Sequence, residues 1–112
     1  MKIDVLGDDL RNQLTHIKKN LNKGPKSALS IEVYDNAVLL VYRNVELPVK
    51  LLNATGEKHK LVTVYKIANY TLLQRISEKY KNFQSYTLDL FTDCIKMNIG
   101  NSQFNIDASL QK

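Results

Sequence analysis

An internal repeat constrains this chain more than any other feature. Residues 29–49, LSIEVYDNAVLLVYRNVELPV, lie over residues 86–106, YTLDLFTDCIKMNIGNSQFNI, without a gap. Apolar positions then coincide: Leu29 with Tyr86, Ile31 with Leu88, Val33 with Leu90, Val38 with Ile95, Leu40 with Met97, Leu47 with Phe104 and Val49 with Ile106. Polar turn residues fall together as well, Asp35-Asn36 over Thr92-Asp93 and Asn44 over Asn101. Each copy follows a short apolar strand and a helix-like segment, in which Leu14, Ile17 and Leu21 correspond to Leu73, Ile76 and Tyr80. A duplication on this scale restricts the whole fold. The chain reads as a doubled β-α-β-β-β unit, with pseudo-repeats 1–52 and 59–110 and a linker at 53–58.

Periodicity assigns the elements. Met1–Leu6 is a predicted strand with Ile3 and Val5 on one face. Gly7-Asp8-Asp9 ends it, and an aspartate there can cap a helix by accepting from free backbone N–H groups. Leu10, Leu14, Ile17 and Leu21 form one helical stripe, closed by Asn22-Lys23-Gly24-Pro25. Leu29–Tyr34 alternates as a half-buried strand does. Ala37–Tyr42 and Val45–Val49 are the next two strands, Pro48 marking an edge. The second half repeats the order: strand Leu61–Tyr65, a helix over roughly 67–81, then strands Ser85–Phe91, Cys94–Ile99 and Gln103–Ala108. Asn69, Leu72, Leu73, Ile76 and Tyr80 are expected on the buried side of that helix.

Composition removes several classes of function. With 112 residues and 44% apolar content, the chain can bury a core without staples. No apolar run approaches the roughly 20 residues of a membrane span, and MKIDVLGDDL, which alternates and then turns acidic, is not expected to act as a secretory signal. The single cysteine, Cys94, precludes an internal disulfide framework and fits a reducing compartment, so a cytoplasmic setting is expected. Catalytic motifs are missing: no P-loop, G-x-G-x-x-G or G-x-S-x-G run occurs. His16 and His59 have no spaced metal-ligand partners, Cys94 aligns with Ala37 as a small strand residue, and Lys66, Glu78 and Asp89 stand apart. Neither an enzyme, a metal nor a cofactor is expected. The net charge of +5 favours a polyanionic partner.

The order β-α-β-β-β, twice, resembles one domain of the sliding DNA clamps, and most of all a domain of the bacterial polymerase III β clamp. The resemblance is carried by MKIDVLGDDLRNQLTHIKKNL in the first half and by VTVYKIANYTLLQRISEKYKNFQSYTLDLFTDCIKMNIGNSQFNIDAS in the second. It implies an α+β fold, a single clamp-like domain with two helices packed on one face of antiparallel sheets. It also implies that the helices face nucleic acid and that strand edges pair between domains. Clamp rings are built from six such domains, so a ring of this chain alone would be a homo-hexamer.

Two surfaces are then candidates. Opposite the apolar stripe, the first helix presents Asn12, Thr15, His16, Lys19 and Lys23, flanked by Arg11 and Lys18, with Lys26 in the following loop. The second helix adds Gln74, Arg75 and Lys81, alongside Glu78. Such a face would contact phosphates without reading bases, although a solvated helix face has the same composition. The second surface is the outer strand layer, where Tyr34, Leu39, Val41 and Phe91 point away from the expected core. It includes the expected edges, marked by Glu46, Pro48, Lys50, Gln103, Asn105 and Asp107. The expected function is a non-catalytic, sliding-clamp-like accessory protein of replication or a mobile element, binding DNA non-specifically, replication proteins, or both. The alternative is a phage- or plasmid-type interaction module that regulates or inhibits a host protein and keeps the fold without the ring.

Overall fold

A computed structural model of the chain describes residues 1–21, 28–52 and 60–111. Strand β1 (Lys2–Leu6) runs directly into helix α1 (Gly7–His16), which continues as a π-helical turn, Ile17–Leu21. Strands β2 (Leu29–Tyr34), β3 (Val38–Tyr42) and β4 (Val45–Val49) complete the first half. The second half consists of β5 (Leu61–Ile67), α2 (Tyr70–Lys79), β6 (Ser85–Leu90), β7 (Cys94–Ile99) and β8 (Ser102–Leu110). The expected linker at 53–58 lies outside the described residues.

The eight strands form one antiparallel sheet in the order β1-β6-β7-β8-β5-β2-β3-β4. The first strand of each half is exchanged: β1 pairs with β6, and β5 pairs with β2. The sheet nearly closes on itself. Leu6 N–H donates to the Lys50 carbonyl at 2.9 Å, Leu52 N–H donates to the Asp4 carbonyl at 2.9 Å, and Val5 bridges Leu51. Together with two helices this is the α+β clamp-like arrangement that the sequence order implies.

Period-2 alternation decides which side is buried. Leu29, Ile31 and Val33 of β2, Tyr86, Leu88 and Leu90 of β6, and Ile95, Met97 and Ile99 of β7 all enter one core with Leu10, Leu14 and Ile17 of the first helical segment. The β3–β4 loop has two residues, Arg43 and Asn44, with φ of 50° and 71°. Positive φ at both positions is the type I′ pattern, which matches strand twist. The aligned β7–β8 loop uses Gly100 at φ 57°. An added Cβ there would also meet the Phe83 ring at 2.8 Å.

Four expectations are corrected. Neither Asp8 nor Asp9 caps α1: the cap position is Leu6, without a side-chain bond. Asp8 instead pairs with Arg11, and Asp9 accepts from the Lys50 N–H at 3.0 Å. The buried stripe of α2 is Tyr70, Leu73, Gln74, Ile76 and Ser77, whereas Leu72 is 45% exposed and Asn69 is exposed. The cap explains the rotation, because Asn69 Oδ1 accepts from Thr71 N–H at 2.9 Å and starts the helix at Tyr70, whose ring meets Tyr42 edge-on at 5.9 Å. Leu39, expected outside the core, is only 7% exposed between Glu32 and Pro48 in register. Finally, β8 is not an outer strand: it lies between β7 and β5. Its pairing with β5, however, covers only Ala108–Leu110.

Candidate nucleic-acid interface

The helices are tied together at the end of α2. Arg11 Nε donates to the Ser77 carbonyl at 3.0 Å, its Nη1 meets Asp8 Oδ1 at 2.6 Å, and Nη2 lies 3.5 Å from the Tyr86 hydroxyl. Ser77 belongs to the last turn of α2, where carbonyls lack helical partners and carry partial negative charge. The Tyr86 hydroxyl lies within donating distance of the same carbonyl, at 3.2 Å, and of Tyr80 O at 2.9 Å. Burial alone would lower the Arg11 pKa, but the bonds to Asp8 and Tyr86 outweigh it and raise the pKa above its ordinary value. Two turns further on, in the π-helical turn, Lys18 Nζ lies 4.0 Å from Glu78 Oε1. Both contacts lay the C-terminal turn of α2 against the side of α1 and the π turn, so the two exposed faces adjoin.

This packing sorts the expected phosphate contacts. Asn12, His16, Lys18, Lys19, Arg75 and Lys81 are exposed, and Thr15 is half-buried. Arg11 is turned inward, its side chain only 18% exposed, and serves the helix–helix contact. Gln74 is buried and its Nε2 donates to Glu78 Oε1 at 3.4 Å, so it too leaves the surface. Lys23 and Lys26 lie outside the described residues. Lys79, not singled out from the sequence, is exposed with its ammonium 5.7 Å from the Tyr80 ring centroid. Among the described residues, no carboxylate comes within ion-pair distance of Lys19, Arg75, Lys79 or Lys81. The face is therefore net cationic, with Glu78 opposed by Lys18 and exposed Asp8 by Arg11. At 4.0 Å and about half exposed, the Lys18–Glu78 pair is weak and screened by salt.

The strand-side residues separate likewise. Tyr34 is half-buried, its hydroxyl donating to Glu32 Oε1 at 2.9 Å, and Val41 is half-buried. Phe91 is 40% exposed, with Lys96 Nζ 5.2 Å from its ring centroid. Glu46, Pro48, Lys50, Gln103, Asn105 and Asp107 are all exposed. One feature escaped the sequence reading: a cleft of about 280 Å³ between α2 and β8, lined by Asn69, Leu72, Arg75, Asn105 and Asp107 among others. Adjacent Leu72 and Leu73 lie about 100° apart around the helix, and the rotation that starts at the Asn69 cap buries Leu73 and Gln74 and turns Leu72 out.

The backbone path, compared with solved structures, matches the DNA polymerase III β subunit of Thermotoga maritima. The TM-score is 0.66 at 18% identity, over 96% of this chain and 30% of that subunit. The fold is that of a sliding-clamp domain. This clamp-like chain thus spans less than a third of the subunit it matches. Neither a protein-family model nor a curated protein sequence matches it. Among the described residues of the clamp-like domain, no helix is long and apolar enough to cross a membrane. Nor does any group of three His, Cys, Asp or Glu side chains there have the proximity to hold a metal ion.

Proposed function

We propose that this chain is a non-catalytic, clamp-like accessory protein of DNA replication or of a mobile element, whose helix face lies against the nucleic-acid backbone. One observation carries the reading: on the adjoining exposed faces of the helices and the turn after α2, Lys18, Lys19, Arg75, Lys79 and Lys81 outnumber two exposed carboxylates, Glu78 near Lys18 and Asp8 paired with Arg11. Long cationic side chains held on a scaffold give a sequence-independent and salt-steep contact. Arg11 is excluded from that contact because Ser77 and Asp8 already hold its guanidinium.

Binding to a duplex fragment, measured against salt, tests the reading. Lys19→Ala and Arg75→Ala should each reduce the slope of log affinity against log salt by about 1. Unchanged slopes in both would refute it. Comparing retention on closed circles with linear fragments then separates an encircling ring from an open binder.

A second reading, an interaction module that regulates a host or replication protein without encircling DNA, is supported by the covered β4 edge. The Pro48 carbonyl accepts from Gln13 Nε2 at 2.9 Å, and Lys50 N–H is held by Asp9. Absence of measurable duplex binding at low salt would favour this module over the clamp.

A further inference from the structure

Three aromatic rings gather where α2 ends against the β7–β8 turn. The Tyr80 ring lies 5.5 Å from Phe104 and 5.9 Å from Phe83, centroid to centroid, at interplanar angles of 59° and 60°. Tyr80 and Phe104 are half-buried against the core, but Phe83 is 41% exposed. Its backbone is nonetheless fixed: Phe83 N–H donates to Tyr80 O at 3.2 Å, and Gly7 N–H donates to Gln84 O at 2.8 Å. Two glycines make room for this one residue. An added Cβ would stand 2.7 Å from Phe83 O at Gly7, and 2.8 Å from the Phe83 ring at Gly100. The flanking charge is positive. Lys79 has its ammonium 5.7 Å from the Tyr80 ring centroid, and Lys81 is exposed. The segments that build the cluster, residues 79–88 and 94–106, contain no aspartate or glutamate. Of the neighbouring carboxylates, Asp8 beside Gly7 is paired with Arg11, and Glu78 lies 4.0 Å from Lys18. Phe91, comparably exposed on the strand side, has Lys96 over its ring instead.

We propose that Phe83 is a stacking site for an unpaired base of single-stranded DNA, with Lys79 and Lys81 meeting the adjoining phosphates. Every base has a π-face, so such a site is indifferent to sequence. The base must come from a single strand or a frayed end, because in a duplex each base is already covered by its neighbours. A ring held by Gly7, Gly100 and Tyr80 has little freedom left to lose when a base settles on it. An apolar protein surface on the same patch would strip water from Lys79 and Lys81 without replacing it, whereas a nucleotide brings a phosphate to them. Both lysines also belong to the cationic helix face, so the stacking site adjoins the backbone contact. The choice of DNA rests on that proposed contact; the stacking at Phe83 does not, so either can fail alone.

Two labelled strands of equal length test it at low salt with the full chain: a thymidylate oligomer, and an abasic oligomer that keeps the phosphates and lacks the bases. The wild-type chain should bind the thymidylates at least about fivefold tighter. Phe83→Leu, which keeps apolar bulk without a ring, should bind both strands alike. Its salt slope and duplex affinity should stay at the wild-type values, because no phosphate contact is lost. Lys81→Ala should instead reduce the single-strand slope by about 0.7. The chain has no tryptophan, so Phe83→Trp places one fluorophore at the site, and thymidylates but not the abasic strand should quench it. Circular dichroism and urea midpoints confirm that each variant is folded, and Phe83→Trp carries the test should Phe83→Leu loosen the fold. Loss of duplex binding with the preference for thymidylates intact would sink the backbone contact and support this site. Binding of neither strand, equal affinity for both, a Phe83→Leu variant that still prefers thymidylates, bound thymidylates that leave the Phe83→Trp emission unchanged, or a uridylate strand bound tighter than the thymidylates would overturn the proposal.

Discussion

Replacing Arg11 by alanine separates a phosphate contact from a structural strut. The guanidinium donates to Ser77 O at 3.0 Å, at the negative end of α2, from a side chain only 18% exposed. A charged donor to such a carbonyl is worth roughly 1.5–3 kcal/mol. The Asp8 pair adds at most about 0.5 kcal/mol, since Asp8 is 80% exposed and screened by water. The 3.5 Å contact to Tyr86 is too long to count for much. Against this, Ser77 O keeps the Tyr86 hydroxyl within reach at 3.2 Å and is not orphaned. The net loss for Arg11→Ala is therefore about 2 kcal/mol. With ~2.1 cal/mol/K of unfolding entropy per residue over 112 residues, that lowers Tm by about 8 °C. Urea unfolding and a thermal scan measure the loss. The slope of DNA affinity against salt, taken well below the transition, should stay at the wild-type value. An unchanged Tm combined with a slope reduced by about 1 would show that Arg11 faces phosphate, and would refute the strut.

Gly7→Ala should destabilise the fold by about 1–3 kcal/mol in urea, despite the better helix propensity of alanine, because its Cβ would sit 2.7 Å from the backbone carbonyl of Phe83. Tyr42→Phe should leave the urea midpoint unchanged or raise it, since the Tyr42 hydroxyl is buried and has no hydrogen-bond partner among the described residues; a loss above about 1 kcal/mol would show that the hydroxyl is bonded. Two tyrosines titrate above their ordinary value of 10.0: Tyr34 chiefly through its hydrogen bond to Glu32, and Tyr65 chiefly through burial. A raised pKa favours the protonated phenol in the folded state, so this stability is complete below about pH 10 and is lost as pH rises through the folded-state values. Unfolding measured from about pH 8 to 11 should show that decline, and Tyr34→Phe with Tyr65→Phe should flatten it.

Much of the strand layer was legible because it depends on local alternation. The pairing of Leu29 with Tyr86 and of Leu40 with Met97 in the repeat survives as core positions 0–1% exposed, since a period of two leaves each residue one choice of face. Element order followed from the same pattern, and the α+β clamp-like fold from the family resemblance that this order carries. The helix faces were less legible. Leu72 and Leu73 fit a buried stripe about equally by hydrophobicity, and the choice was made by the Asn69 cap and by buried Tyr70, Gln74 and Ser77, the last bonded through its hydroxyl to Gln74 O at 2.8 Å. Arg11 looked like any basic residue on a polar flank until the packing of α2 brought the Ser77 carbonyl to it, across 66 residues of chain. The edges were decided last and by tertiary contact alone. Pro48 announced an edge in the sequence, but its closure by Gln13 and Asp9, and the half-covered flank of β8, arise from side chains and strands remote in the chain. Local periodicity thus determined the core-facing residues of the strands, because each residue there has only two sides, while the burial of Leu39 on the other side of β3 came from its neighbours in the fold. The helix rotations, the inward turn of Arg11 and the open β8 flank required the assembled fold, because each depends on a partner that sequence proximity does not supply.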